Sequence, residues 1–211
     1  SGQFTPLLPV DAHQPHNRLN DGYVDAQGRI WFGSMDDHES DPTGTLYRFD
    51  GPGRLVPMDA DYVITNGPAM SPDGRTLYHT DTLKRLVYAF DVDADGALSG
   101  KRVFVHLQSP GYPDGMAVDA EGCVWVAVFG GWRIDCFSPA GAWLHSQAFP
   151  CANITKLAFG GADLRTVYVT TAWKGLSAEQ RAAQPLAGGF FSFESPVPGL
   201  PQHLIPRKFI A

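Results

Sequence analysis

The chain lacks several features that would place it in other classes. No apolar run approaches the roughly 18–20 residues that a helix needs to cross a bilayer, so no membrane partner is expected. Its 16 lysines and arginines are outnumbered by 22 aspartates and glutamates, giving a formal net charge of −6. Without a basic footprint, nucleic acid is not an expected partner. Acidity this mild favours solubility and identifies no ligand. Cysteine is limited to Cys123, Cys136 and Cys151, an odd number with no CxxC pair. That pattern points to free thiols in a reducing compartment and away from a disulfide framework or zinc knot. Ser1 to Thr5 carries neither the basic region nor the apolar stretch of a secretory leader. A cytoplasmic protein is the expectation. There is no GxSxG elbow, P-loop or Rossmann fingerprint, and no HxxxH spacing. Helical patterning is nearly missing: one short helix is expected at residues 177–183, where Ser177 and Gln180 fit a capping box.

What is present is a repeat. With 211 residues, 44% of them hydrophobic and 18% charged, the chain is ordinary for a globular protein and long enough to bury a core. Four segments share an apolar strand, a tight Asp/Gly turn and a strand bearing an aromatic residue. Those aromatics are Trp31, Tyr78, Trp125 and Tyr168, spaced 47, 47 and 43 residues apart, a spacing typical of propeller blades. Gln27-Gly28, Asp73-Gly74 and Glu121-Gly122 put glycine where a short hairpin needs positive φ. Third strands follow at Thr45–Phe49, Leu86–Phe90, Arg133–Phe137 and Gly189–Phe193, and a fourth is expected in each unit, as at Lys101–Leu107. The predicted fold class is therefore all-β, a β-propeller of about four four-stranded blades. No linker interrupts residues 1–211, which read as one domain. An additional strand, Phe4–Val10, precedes the first unit and suggests that earlier blades are missing. Trp31 and Trp125 fill equivalent slots and are expected in the core.

In a propeller the first strands of successive blades line a central channel. Polar residues at equivalent places should therefore converge. Asn20, Asn66, Asp114 and Thr155, placed just before each inner strand, keep the blade period, and their oxygens suit a hard or borderline divalent ion. Asn and Asp before glycine are also plain turn formers; spacing alone leaves both readings open. Arg18 shares a strand side with Asn20 and is a candidate for holding a substrate carboxylate or hydroxyls, or is a surface arginine. The polar stretch Met35 to Glu39 is read as a solvated acidic loop, with substrate contact as the alternative. Asp81 is either a channel-wall group or a structural carboxylate.

At this point the residues resemble a known family. Arg18-Leu19-Asn20-Asp21-Gly22 with Asp25, Gly28-Arg29, Trp31 and Gly33-Ser34-Met35 resembles the RxNDGxxDxxGRxWxGTM stretch of the gluconolactonase/SMP-30/regucalcin family. Asn66-Gly67-Pro68 with Ser71-Pro72-Asp73-Gly74 resembles its NGPxxSPDG segment. Pro113-Asp114-Gly115-Met116 with Asp119, Glu121-Gly122 and Trp125 resembles its PDGMxxDxEGxxW segment. Tyr78 to Thr82 and Lys174 to Ser177 look most like bacterial xylonolactonases. The resemblance implies a six-bladed propeller that hydrolyses a pentono- or hexono-lactone to the aldonic acid with one divalent ion, whether Ca, Zn, Fe, Mn or Mg. It implies Asn66 and Asp114 as metal ligands and Arg18 and Asn20 as substrate-binding residues; lactone hydrolysis also needs a base for the attacking water, for which Asp114, and second Asp21, are the candidates. His38 and Glu39 fall where some relatives place a substrate-contacting glutamate. A lysine used by some relatives upstream of the asparagine segment has no counterpart here, since Val56 stands near that position. The family's third ligand, a glutamate in an EGP-type segment, has no match before Arg18. The expectation is a chain without its first blade and much of its second. The competing readings are a non-catalytic metal- or protein-binding propeller and an aryl-ester or organophosphate hydrolase on the same scaffold.

Overall fold

The computed structural model describes residues 6–108 and 110–209. It builds four antiparallel sheets, each from strands consecutive in the chain. The first holds β1 (Asn17–Val24), β2 (Ile30–Asp36), β3 (Gly44–Phe49) and β4 (Leu55–Tyr62). The second holds β5 (Thr65–Met70), β6 (Thr76–Asp81), β7 (Leu86–Val92) and β8 (Leu98–His106). The third holds β9 (Tyr112–Val118), β10 (Val124–Phe129), β11 (Arg133–Phe137) and β12 (Trp143–Ala148). The fourth holds β13 (Asn153–Gly160), β14 (Thr166–Ala172) and β15 (Phe190–Glu194). Up-and-down sheets of this kind are propeller blades. Two compact units are distinguished: one contains residues 1–65 and 202–211, the other residues 66–201.

Two expectations are corrected. The fourth sheet has three strands among the described residues, not four. The strand expected at Phe4–Val10 is not formed over Pro6–Val10, where Pro6 and Pro9 have no N–H to give a ladder; Phe4 and Thr5 lie outside the described residues. The helix is found as read. α1 (Ala178–Ala183) is capped by Ser177, whose hydroxyl accepts from the Gln180 N–H while the Gln180 side chain accepts from the Ser177 N–H.

One turn recurs and explains the tryptophans. In the first sheet Asp25 Oδ1 accepts the N–H of Gln27 and Arg29, and its Oδ2 accepts the Trp31 indole N–H at 2.9 Å. In the third, Asp119 does the same for Glu121, Cys123 and, at 2.8 Å, Trp125. Both indoles are buried, so the carboxylate satisfies a donor that burial would otherwise strand. Glycine closes each turn with positive φ, +79° at Gly28 and +82° at Gly122. At Gly28 a Cβ would lie 2.3 Å from Pro206 Cδ, whereas at Gly74 (φ +69°) it would meet open space. Gly74→Ala is therefore expected to cost about 1 kcal/mol for backbone conformation alone. Gly28→Ala adds a steric clash, on the order of 1–3 kcal/mol more. Denaturant midpoints of the two variants check the difference.

Within the second unit, sheets two and three pack through Tyr78, Val87, Met116, Val124, Val126 and Phe137. Sheets three and four pack through Trp125, Ile134, Ile154, Leu157, Val167 and Val169. In sheet three both faces are covered, so Val124, Trp125 and Val126 are all buried. In sheet four Val167 and Val169 turn inward, and Tyr168, between them, is 38% exposed and stacks on Phe190.

Candidate metal and substrate site

The oxygen donors picked out by blade period lie inside the first strand of each sheet, not before it. In three of the sheets they sit at a break in the ladder. In β1, Leu19 pairs with Ser34 and Gly22 with Phe32, so Asn20 and Asp21 together face Gly33. In β9, Pro113 pairs with Val128 and Met116 with Val126, leaving Asp114 and Gly115 opposite Ala127. In β13, Thr155 is the extra residue between Ile154 and Lys156. Each is a β-bulge, which bends the strand and re-aims the side chain it carries. β5 has its own irregularity at the equivalent place, Gly67 with φ +42°.

In the second unit the segments bearing Asn66 and Asp114 are brought together. A Cβ on Gly67 would lie 2.9 Å from the Met116 backbone nitrogen and 3.3 Å from the Asp114 carbonyl oxygen, so only glycine allows this approach. Thr82 links the two segments: its hydroxyl accepts from Asn66 Nδ2 at 3.0 Å and donates to the Pro113 carbonyl at 3.0 Å. The Thr80 hydroxyl reaches the Asp114 carbonyl at 3.4 Å. Asn66 is buried and Asp114 half-buried. With Nδ2 held by Thr82, the group that Asn66 offers a cation is its carbonyl oxygen. A half-buried carboxylate and an oriented amide oxygen are hard donors, a set that fits a divalent ion. Thr155 instead bonds Thr170 across the β13–β14 pair at 2.8 Å.

From sequence Thr82 entered only as the last residue of the Tyr78 to Thr82 resemblance, with no role assigned to it. Its role depends on cross-strand geometry, and a threonine after an aspartate carries no signal of it. Thr82→Val keeps the shape and removes both hydrogen bonds. Metal affinity is expected to fall about 10–100-fold, as for an outer-shell partner of a metal ligand. Isothermal titration with the metal checks this.

In the first unit, Arg18 Nε donates to Asp37 Oδ1 at 2.6 Å, and its Nη1 donates to Asn20 Oδ1 at 2.8 Å. Asn20 Nδ2 donates to the Thr65 carbonyl at 2.6 Å. Arg18, Asn20 and Asp37 are exposed and form one hydrogen-bonded chain able to meet hydroxyl groups. Asp37 belongs to the stretch read as a solvated loop, but its bond to Arg18 was not foreseen. Asp21 Oδ1 accepts the Gly22 N–H at 2.8 Å, capping its own bulge.

The Met35 to Glu39 stretch is anchored by Asp36. This buried carboxylate accepts the N–H groups of Ser40 (2.9 Å), Asp41 (3.0 Å) and His38 (3.2 Å) and the Ser40 hydroxyl (3.0 Å). These bonds, the Ser40 N–H foremost, hold its carboxyl well below the usual carboxylate range. A depressed carboxyl stabilises the fold above its unfolded pKa, and that stabilisation is lost only as pH falls into acid. His38 is exposed, lies 3.5 Å from Asp36 through Nδ1, and packs its ring on His16 with centroids 4.7 Å apart. Glu39 closes the turn at φ +58°. Asp81, buried, accepts the Lys84 backbone N–H at 3.4 Å, the structural alternative of its two readings, and also pairs with the Lys84 ammonium at 2.8 Å.

Four up-and-down sheets define a β-propeller, and the second unit carries a candidate cation site at Asn66 and Asp114. Comparison with known proteins agrees on the class. The model of the SMP-30/Gluconolactonase/LRE-like region matches residues 1–173. A 6-deoxy-6-sulfogluconolactonase of Pseudomonas putida is 39% identical over 191 residues, 90% of this chain and 66% of that protein. Regucalcin of Xenopus laevis is 38% identical over 197 residues, 89% of this chain and 65% of that protein. Among solved structures, a calcium-binding regucalcin from Agrobacterium tumefaciens superposes with a TM-score of 0.88 at 30% identity, covering 93% of this chain and 68% of the other. The chain belongs to the SMP-30/gluconolactonase family. It spans about two thirds of the length of the curated relatives it matches.

Proposed function

We propose that this protein takes part in the metal-dependent hydrolysis of a sugar lactone to the aldonic acid, with Asn66 and Asp114 as ligands of one divalent ion. The observation that carries this reading is the Thr82 bridge, which ties the Asn66 amide to the strand bearing Asp114. The relatives named lactonases and the calcium-binding neighbour support the substrate class and the need for an ion.

Asn66 and Asp114 would hold a divalent ion, which would supply Lewis acidity toward the lactone carbonyl and the attacking water. The remaining work falls to the chain. Asp114 would accept the proton of the attacking water. Asp21 is the second candidate base, though its Oδ1 already caps the bulge. Arg18 and Asn20, fixed by Asp37 and the Thr65 carbonyl, are assigned to the sugar hydroxyls. His38 and Glu39 are assigned to the same task on sequence register. The lactone ring and the ion's identity stay within the classes already named.

A pH-stat assay with xylono-, arabinono- and gluconolactone tests the reading. Acid release that stops with chelator and returns with a divalent ion is the expected result. Hydrolysis of paraoxon or aryl esters without any lactone turnover would overturn it.

A further inference from the structure

A second group of potential metal ligands lies at the other end of the third sheet. Asp119, Cys123 and Cys136 place one carboxylate oxygen and two sulfurs within 4.8 Å of one another. Asp114 is near the start of β9 and Asp119 just past its end, five residues or roughly 17 Å along a strand. The two places are therefore distinct.

The first sheet offers a direct comparison for this position. Asp25 and Asp119 make the same turn and hold the same tryptophan. Four residues after each stand Arg29 and Cys123. Opposite Trp31 in the ladder is Arg48, and opposite Trp125 is Cys136. In the first sheet Arg29 Nε meets Asp25 Oδ2 at 2.6 Å, and Arg48 pairs with the neighbouring Asp50 at 2.8 Å. Both guanidiniums lie within 6 Å of the Trp31 ring centre. Two buried carboxylates are thus met by two cations. In the third sheet Asp119 is 1% exposed, and no lysine or arginine pairs with it among the described residues. The two arginine slots hold thiols instead. A buried carboxylate without a counter-cation is costly even when hydrogen-bonded.

We propose that Asp119, Cys123 and Cys136 form a binding site for a thiophilic divalent cation of the zinc type, which replaces the arginine charge of the first sheet. Sulfur and carboxylate ligands suit such an ion, and three protein ligands leave a fourth position for water. Cys123 is only partly buried, which gives the ion a route in. Asp119 Oδ2 keeps its bond to the Trp125 indole, as a metal-bound carboxylate commonly does with an outer partner. Each thiol releases its proton to solvent on binding. Binding therefore strengthens as pH rises. This site does not depend on the lactonase reading.

The test is a Co²⁺ titration of the fully reduced protein. A sulfur-to-cobalt charge-transfer band saturating at one ion per chain is expected. The Asn66 and Asp114 donors contain no sulfur, so Asp114→Ala should leave that band unchanged. Cys123→Ser and Cys136→Ser should each weaken Co²⁺ binding more than tenfold and bleach the band. If Cys136→Ser fails to fold, Cys123→Ser, at the more exposed position, serves alone. Absence of a band would overturn the proposal. So would a band that survives Cys123→Ser, or a Cys123–Cys136 disulfide seen by mass together with no cobalt uptake after reduction.

Discussion

Replacing Asp114 by alanine is expected to lower metal-dependent lactone turnover on the order of 10³-fold while the protein stays folded. The magnitude follows from the chemistry assigned to this residue. Lewis-acid activation and delivery of the nucleophile together supply several kcal/mol of transition-state stabilisation, and each 1.36 kcal/mol is a factor of about ten. Asp114 would serve twice, as ligand and as base, so its loss removes both contributions. The fold should survive because the side chain is half-buried at a bulge and lies outside the apolar clusters that join the sheets. Asp21→Ala separates the two candidate bases: a loss as large as that of Asp114→Ala would move the proton transfer to Asp21. Steady-state assays at saturating metal, with circular dichroism as the folding control, check both. Unchanged turnover in Asp114→Ala would contradict the assignment.

Trp125→Ala is expected to be the most damaging single change in the third sheet, at about 3–5 kcal/mol. The indole is 2% exposed, belongs to the core shared with the fourth sheet, and donates to Asp119. Its removal opens a cavity and strips a buried carboxylate of one of its three donors. Trp125→Phe distinguishes the two contributions. Phenylalanine keeps most of the packing but not the donor, so a loss of roughly 1–3 kcal/mol is expected. Trp143, in the same sheet, is 61% exposed, and Trp143→Ala should stay within about 0.5 kcal/mol. Urea unfolding of the three variants gives the order. Equal effects for Trp125→Ala and Trp143→Ala would contradict the packing described.

Much of this structure could be read from the residues alone because the repeat is written in local chemistry. Glycine at positive φ in Gly28, Gly74 and Gly122 marked the hairpins, and each lies where it was expected. The Ser177/Gln180 capping box needs only four residues to form, and it formed. Trp31 and Trp125 were legible as core from their equivalent places. What could not be read depends on register between strands. A bulge is defined by what lies opposite, so Asn20, Asp114 and Thr155 looked like residues ahead of a strand when they sit within one. The Thr82 bridge and the Arg18–Asp37 pair join residues 31 and 19 positions apart and have no local signature. Asp119 stood out only as part of a family motif. Its contrast with Asp25 appears once Cys136 and Arg48 are seen to occupy the same ladder position. The fourth strand of the last sheet was extrapolated from period, and that extrapolation failed.

The account rests on Asn66 and Asp114 holding one ion, and anomalous diffraction from a manganese-soaked crystal tests this most directly. A single strong peak within about 2.0–2.6 Å of both Asn66 Oδ1 and an Asp114 carboxylate oxygen is predicted. Manganese bound elsewhere, with both side chains bare, would contradict it.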